Sequence, residues 1–323
     1  MTTYSMPNRR QVLLGTAALA AGSAMAASPA GAQQQQQVRH SAGTEAPKLR
    51  APANATDCHF HIYDSSFPVA PNAVLKPPEA SVEDYKALQR RLGLSRCVLV
   101  QPSTYGTDNR AYMGLIPKLG GLERARMVGV VDTSVTDDEL RRLHEAGVRG
   151  IRFNLVQAGA TTIDMVEPLS RRVAPMGWHV QMHMLGDQIA QAGDMFMRLP
   201  SRIVFDHRAR LPQPQGVDHP AFAVIRRLLD KGNTWVKLSG AYFDSKSGPP
   251  GYEDSTAVAK ALFQAAPQRM VWGSDWPHPT EPADKKPDDA VLFDLLSVWV
   301  PDEAARHRVL VENPAELYDF PKG

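Results

Sequence analysis

Two histidines lie close together in the sequence, and imidazoles at this spacing suit metal binding or acid–base chemistry. His59 and His61 lie two residues apart in the segment Thr56–Tyr63. Because side chains alternate faces along an extended strand, we expect both imidazoles on one face and Cys58 and Phe60 on the other. Adjacent imidazoles can ligate a divalent cation or hydrogen-bond to a substrate oxygen. The pair alone is equally compatible with one packed and one exposed histidine.

Further ionisable side chains stand at the ends of later apolar runs. His183 ends one run, His207 follows the next run, and Asp275 lies in the segment Trp272–Pro279 after the last run. Any one of them could be a hydrogen-bonded packing residue. Their repeated position at predicted strand ends favours a shared site instead.

Eight apolar runs alternate with helical patterns, which is typical of repeated βα units and a parallel sheet. The predicted strands are Thr56–Tyr63, Arg96–Gln101, Met127–Val131, Gly150–Asn154, His179–His183, Ile203–Asp206, Thr234–Leu238 and Met270–Gly273. The helical stretches between them include Asn109–Leu119 and Asp187–Leu199. We therefore predict one α/β domain, a closed (β/α)8 barrel of the TIM type, with an open doubly wound sheet as the alternative. In a barrel, all strand carboxyl ends meet at one mouth.

The first 52 residues have the composition of segments that precede a folded domain. Asn8–Leu14 contains two adjacent arginines, resembles a twin-arginine export motif and leads into an Ala- and Gly-rich run, so residues 1–32 are predicted to be a signal peptide. We expect the twin-arginine export machinery as a partner and a periplasmic location. The apolar run is too short for a stable membrane anchor. Residues 33–52 predict a disordered linker, and residues 53–323 the barrel.

The overall composition excludes some classes of partner. Lys and Arg total 36 against 34 Asp and Glu, so the chain has no strong basic excess of the kind that binds nucleic acid. We expect a small-molecule ligand, with a homo-oligomer left open. Of the two cysteines, Cys97 is predicted to share the inward face of its strand with Gln101, whereas Cys58 faces away from the histidines. We therefore expect no disulfide, even in an oxidising compartment.

Taken together, the strand-end residues resemble the amidohydrolase superfamily of the amidohydrolase-2 type. Within it they resemble the branch of 2-pyrone-4,6-dicarboxylate lactonases and 4-sulfomuconolactone hydrolases. The resemblance runs from about Thr56 to Tyr318. Its most specific part is Trp272–Pro279, where a strand-end aspartate is followed by Trp-Pro-His. The resemblance implies that the catalytic residues are His59, His61, His183, His207 and Asp275.

The resemblance also bears on the metal content. Two-metal members bridge their ions with a carboxylated Lys or a Glu after the fourth strand, where this chain has Arg152. Because an arginine has no available lone pair, a binuclear centre is not expected. One interpretation is a single divalent ion, zinc above all, and its implied ligands are His59, His61, His183 and Asp275. The other interpretation is no metal, a form known among members of the lactonase branch.

The activity that the resemblance implies is hydrolysis of a small lactone that carries carboxylate or sulfonate groups. Asp275 would activate water as a general base, and the histidines would polarise the lactone carbonyl. The residues expected to contact the substrate are Arg152, Arg208, Tyr105, Ser103, Asn154 and His278. Arg210, Lys237 and Tyr242 are further candidates whose direction the sequence does not fix. The alternatives are a lactone isomerase, a metal-dependent decarboxylase of the same superfamily, and a non-enzymatic organic-anion binding protein.

Overall fold

Eight parallel strands form one sheet, in sequential order, in this computed structural model, which describes residues 37–157 and 159–321. The strands are β1 (Thr56–Phe60), β2 (Arg96–Val100), β3 (Ala125–Gly129), β4 (Val148–Asn154), β5 (His179–His183), β6 (Arg202–Phe205), β7 (Thr234–Leu238) and β8 (Met270–Trp272). The two ends of the sheet meet, since the His61 amide donates to the Trp276 carbonyl at 2.8 Å and the Asp275 amide to the His59 carbonyl at 2.7 Å. The predicted barrel is confirmed, and the open sheet is excluded.

Helices surround the barrel in the connections between strands and in the segment after β8. They are α1 (Val82–Leu92), α2 (Arg110–Met113), α3 (Asp137–Glu145), α4 (Val166–Val173), α5 (Gly186–Gln191), α6 (Gly193–Arg198), α7 (Pro220–Lys231), α8 (Glu253–Ala265), α9 (Asp289–Trp299), α10 (Glu303–His307) and α11 (Asn313–Tyr318). Two predicted helices are shorter in the structure. The stretch Asn109–Leu119 forms only α2 and a separate 3₁₀ turn, and Asp187–Leu199 divides into α5 and α6. At that division Gly193 lies so close to α7 that an added Cβ would be 3.1 Å from Val224.

The barrel interior is filled from below by the end of the described chain. Valines of β2, β3, β6 and β8 form an inner cluster with Leu317, Tyr318 and Phe320, three residues that we call the C-terminal plug. Arg126 at the start of β3 donates to the Tyr318 carbonyl at 3.0 Å, and its guanidinium lies 4.7 Å from the centre of the Phe320 ring. The plug therefore closes the amino end of the strands and leaves the carboxyl end as the open mouth.

A bulge in β1 changes the faces that simple alternation predicts. Asp57 pairs with Cys97 and Phe60 with Leu99, so β1 carries one extra residue against β2. Cys58 consequently packs in the inner cluster, whereas Cys97 packs in the outer layer between strands and helices. The predicted directions of the two cysteines are thus both wrong, in opposite senses. They are free thiols on opposite faces of the sheet.

The segment before β1 is ordered where the structure describes it. Val38 is 3% exposed, and the Trp276 indole donates to the Arg39 carbonyl at 2.8 Å. The predicted disordered linker is therefore wrong for residues 37–52, because the barrel surface supplies packing partners for them. The predicted signal peptide at residues 1–32 lies outside the described residues. Among the helices of the described part, none has the length and apolar character needed to cross a membrane.

Candidate active site

A carboxylate lies among three imidazoles at the mouth of the barrel. Asp275 Oδ1 is 3.4 Å from His59 Nε2, 3.7 Å from His61 Nε2 and 3.7 Å from His207 Nε2. We call these three histidines and Asp275 the histidine cluster. All four side chains are buried. The convergence expected from their positions at strand ends is therefore present in the structure.

Asp57 holds β1 against the segment after β8 and so positions this cluster. Its carboxylate accepts hydrogen bonds from the His59 amide at 3.0 Å and from the amide and hydroxyl of Ser274 at 2.9 and 2.6 Å. The Tyr85 hydroxyl of α1 donates to it at 3.1 Å. Burial raises the pKa of Asp57 to about 6, while the hydrogen bonds from Ser274 oppose that shift. Asp57 was not among the site residues predicted from the sequence, although its position two residues before His59 was a usable signal.

Two members of the cluster sit on left-handed backbone. Asp275 has φ +63°, and His207 begins four consecutive residues with φ between +47° and +61°. This conformation costs a residue other than glycine about 1–2 kcal/mol. Such outliers concentrate at functional sites, where surrounding contacts hold them. Here the turn after β6 directs His207 toward Asp275.

The same turn directs Arg208 away from the mouth. Its guanidinium donates to the carbonyl of Ser239, to the carbonyl of Phe243 at 3.1 Å and to the hydroxyl of Ser255 at 3.1 Å. Arg208 is thus occupied by protein acceptors behind the site, contrary to the expectation that it contacts substrate. Arg210 lies nearer the site, since its Nη1 is 3.2 Å from His183 Nε2.

A cavity with about 340 Å³ of empty space, counting the part open to solvent, lies above the histidine cluster. Its wall includes Arg152, Ser103 and Asn154, three of the expected substrate contacts. Arg152 is held by a hydrogen bond of 3.0 Å from its Nε to Asp206 Oδ2. Within the described residues that is its one hydrogen bond to protein, so its terminal nitrogens remain available to a ligand in the cavity. His183, Tyr63 and Phe243 add further polar and aromatic surface to the wall.

Tyr105 and His278 are not part of the cavity wall. The Tyr105 hydroxyl accepts from the Asp64 amide at 3.0 Å and so fixes the loop after β1. His278 Nδ1 lies 3.1 Å from the Tyr242 oxygen, and the Tyr242 hydroxyl donates to Asp275 Oδ2 at 2.5 Å. His278 therefore contacts the hydroxyl that supports the Asp275 carboxylate, and it does not line the cavity as expected. Tyr242, a weak candidate from the sequence, directly contacts Asp275.

Burial and neighbouring groups set the charges of the cluster. Burial, with Lys237 beneath, lowers the pKa of His59 to about 3, and burial keeps the pKa values of His183 and His207 well below the ordinary value. Burial acts to raise the pKa of Asp275, but His207, His61 and His59 hold it well below its usual range. At neutral pH, His59, His183 and His207 are therefore neutral, and the Asp275 carboxylate is ionised.

The cluster has the spacing of a metal site but not its hydrogen-bond directions. Nitrogen and oxygen atoms of His59, His207 and Asp275 lie within 4.8 Å of one another, a group that contains neither His61 nor His183, two of the expected ligands. His61 Nδ1 can only donate to the Val100 carbonyl, 2.7 Å away, which leaves His61 Nε2 as an acceptor. His59 Nε2, 3.2 Å from that atom, must therefore carry a hydrogen. A hydrogen thus occupies the position that an ion needs, and the residues as arranged do not fit a metal.

The fold and the cluster define the class of protein. The chain belongs to the amidohydrolase family, which matches residues 56–320. A crystal structure of an apo protein from Agrobacterium tumefaciens matches with a TM-score of 0.82 and 32% identity, covering 88% of this chain and 100% of that one.

Three relatives with named activities narrow the resemblance. A 2-pyrone-4,6-dicarboxylate hydrolase of Comamonas testosteroni is 36% identical and the match covers 84% of this chain and 92% of that protein. A 4-sulfomuconolactone hydrolase of Rhizobium radiobacter is 35% identical, and the match covers 83% of this chain and 90% of that protein. A D-galactarolactone isomerase of Agrobacterium fabrum is 34% identical, and the match covers 87% of this chain and 96% of that protein. The branch expected from the segment Trp272–Pro279 is confirmed.

Proposed function

We propose that this protein is a hydrolase that opens the ring of a small anionic lactone. The observation that carries the proposal is the position of Asp275, an ionised carboxylate within 3.7 Å of three imidazole nitrogens in a cavity that Arg152 also lines. A base, hydrogen-bond donors for an oxyanion and a cation for an anionic substituent are thus present in one cavity. Two relatives named as hydrolases of dicarboxylate and sulfonate compounds support the anionic character of the substrate.

The two carboxylate oxygens of Asp275 have different roles in the proposed mechanism. Oδ2 accepts a hydrogen bond from the Tyr242 hydroxyl, so Oδ1 is the oxygen that takes a proton from water. The water oxygen adds to the lactone carbonyl carbon, and the Nε2–H group of His207, beside Oδ1, stabilises the oxyanion that forms. When the intermediate collapses, the bond between the carbonyl carbon and the ring oxygen breaks. The ring oxygen then leaves with the proton that Asp275 had taken.

Arg152 positions the substrate in this mechanism. Its Nε is tied to the buried Asp206, so the plane of the guanidinium is fixed before substrate binds. The terminal nitrogens then bind a carboxylate or sulfonate oxygen through charge-assisted hydrogen bonds. Ser103 and Asn154, whose side chains are 3.4 Å apart, add neutral donors beside it.

The test is the exchange Asp275→Asn, assayed against a panel of carboxylated and sulfonated lactones with a pH indicator. Removing the base while keeping the shape is expected to lower kcat by about 10²- to 10⁴-fold. Asp138→Asn, at a side chain that is 87% exposed, serves as the control and should leave kcat unchanged. Near-full activity of the Asp275 variant contradicts the proposal. Tight binding without turnover by the wild type would support an anion-binding protein instead.

A lactone isomerase is the second candidate, because a relative of 34% identity carries that name. The same base would move an acyl group from one hydroxyl to another without net addition of water. Reaction in water labelled with oxygen-18, followed by NMR and mass spectrometry of the product, distinguishes the two. Hydrolysis incorporates one labelled oxygen, whereas isomerisation incorporates none.

We also propose that the protein is exported to the periplasm. The support is the adjacent pair Arg9 and Arg10 ahead of an apolar run, a pattern of twin-arginine signals. Replacing both arginines by lysine should leave the protein in the cytoplasmic fraction of cells that otherwise export it. Equal periplasmic amounts of the wild type and the double variant would contradict export by this route.

A further inference from the structure

A lysine lies fully buried inside the barrel, directly beneath the histidine cluster. Lys237, on β7, is 0% exposed. Its Nζ lies 2.9 Å from the Cys58 carbonyl, 2.7 Å from Gln181 Oε1 and 3.2 Å from His59 Nδ1. The amide of Gln181 is oriented by the donation of its Nε2 to Asp206 Oδ2 at 3.3 Å, so Oε1 faces the lysine. The three N–H groups of one ammonium thus meet three acceptors, and His59 Nδ1 is one of them.

Asp206 faces the same nitrogen of His59 from another side. Asp206 Oδ1 is 3.2 Å from His59 Nδ1 and forms an ion pair with Lys237 Nζ at 3.6 Å, but it accepts no hydrogen bond within the described residues. A carboxylate can only accept, so pairing with Asp206 requires a hydrogen on Nδ1, whereas pairing with Lys237 requires a lone pair there. The two neighbours therefore favour opposite tautomers of one imidazole.

The hydrogen-bond chain above shows which neighbour prevails. Lys237 donates to His59 Nδ1, His59 Nε2 donates to His61 Nε2, and His61 Nδ1 donates to the Val100 carbonyl. Each link has one donor and one acceptor, and reversing His59 would leave two lone pairs facing each other at 3.2 Å. Such a pair of lone pairs needs a cation between them.

The distances in the cluster already suit that cation. His59 Nε2 lies 3.2 Å from His61 Nε2 and 3.4 Å from Asp275 Oδ1. Ligands about 2.0–2.1 Å from a tetrahedral zinc ion are separated by about 3.4 Å. Only the hydrogen on His59, and the ammonium that requires it, separate this cluster from a metal site.

We propose that Lys237 keeps the histidine cluster free of metal by fixing the tautomer of His59. Without the lysine, Asp206 accepts from His59 Nδ1, and His59 Nε2 joins His61, His207 and Asp275 as ligands of a zinc-like divalent ion. Lys237 is thus a positioning residue that determines whether the cluster holds a hydrogen or a metal. The inference does not rest on the lactone assignment, because metal binding and the tautomer are measured without substrate.

The first test compares Lys237→Met with the wild type by titration of chelator-treated protein with cobalt chloride, followed by the visible absorption of tetrahedral cobalt. Methionine is a suitable replacement because its unbranched, flexible chain fills the same space. We expect the variant to bind one Co²⁺ with a Kd about 10- to 100-fold lower than that of the wild type, the range typical of changes in partners of metal ligands. Lys231→Met, at a lysine that donates to backbone carbonyls on the outside of the barrel, is the matched control and should behave as the wild type.

The second test needs no change at Lys237. Long-range nitrogen-15 NMR of the wild-type imidazoles, assigned with a His59→Gln variant, should find the hydrogen of His59 on Nε2. The double variant Lys237→Met with Asp206→Leu should lose the gain in cobalt affinity, since leucine offers no acceptor for Nδ1–H. The proposal is overturned by a wild-type His59 with its hydrogen on Nδ1. It is equally overturned by a folded Lys237→Met protein that binds Co²⁺ no more tightly than the wild type.

Discussion

Buried arginines lie at the mouth of this barrel and at its opposite end, which the C-terminal plug closes and which we call the floor. The arginines at the two ends differ in how many hydrogen bonds they donate to protein. At the floor, Arg126 donates through all three of its guanidinium nitrogens to backbone carbonyls, among them those of Tyr318 and Asp319. At the mouth, Arg152 hydrogen-bonds to protein through Nε alone, within the described residues. A saturated guanidinium stabilises the closure of the barrel, whereas an unsaturated one retains capacity for a ligand. The number of protein acceptors around a buried cation therefore separates a structural role from a binding role.

A substitution confined to the floor of the barrel should lower stability and leave catalysis unchanged. Phe320→Ala removes a ring that is 4% exposed and packs in the inner cluster, so the free energy of unfolding should fall by about 3–5 kcal/mol. Urea denaturation measures this loss. At a temperature where the variant is folded, kcat should equal that of the wild type. Val298→Ala, at an exposed valine, should change neither quantity.

Arg152 and Arg208 lie near the mouth, and we expect that replacing the first affects substrate binding and replacing the second affects stability. Arg152→Met should raise KM for an anionic lactone by about 10- to 100-fold, because a charge-assisted hydrogen bond to the substrate is lost. Arg208→Met should instead lower the thermal midpoint, because the carbonyls of Ser239 and Phe243 lose their donor. Steady-state kinetics and thermal denaturation of both variants check the pair. An Arg208 variant that raises KM as strongly as the Arg152 variant would contradict the difference in roles.

The hydroxyl of Tyr242, which supports the proposed base Asp275, should make a small contribution to kcat. Tyr242→Phe removes the hydroxyl that donates to Asp275 Oδ2, and kcat should fall about 3- to 10-fold with KM unchanged, as expected for loss of one hydrogen bond. Tyr105→Phe removes a hydroxyl that serves only the loop after β1. Its kcat should match the wild type. Equal losses in the two variants would mean that Tyr242 has no particular role at the carboxylate.

The sequence predicted the parts of the site that follow from strand position. His59, His61, His207 and Asp275 stand at or just beyond the carboxyl ends of strands, and barrel geometry alone brings such positions together. The strands themselves were predictable because buried parallel strands are short apolar runs bounded by turn residues. The same reasoning placed Ser103, Arg152 and Asn154 correctly on the cavity wall.

Side-chain direction in loops was not predictable by that reasoning. The four residues His207–Arg210 adopt left-handed backbone although none of them is a glycine, so no residue type announces the turn that points Arg208 away. The β1 bulge reverses the face of Cys58 for a similar reason, because alternation assumes one residue per pair. Residues 37–52 have the composition of a linker, and the partners that order them, such as Trp276, lie far away in sequence.

The C-terminal plug has a consequence for the order in which the molecule is completed. Leu317, Tyr318 and Phe320 follow all eight strands in the chain, so a ribosome adds them only after the barrel wall has been made. Until then the valines inside the barrel lack their cover and remain accessible to chaperones. Nascent chains arrested before Leu317 should therefore bind a hydrophobic dye and be cleaved by protease, whereas chains extended past the plug should resist both. The barrel interior thus gains its cover only when the plug has been added to the chain.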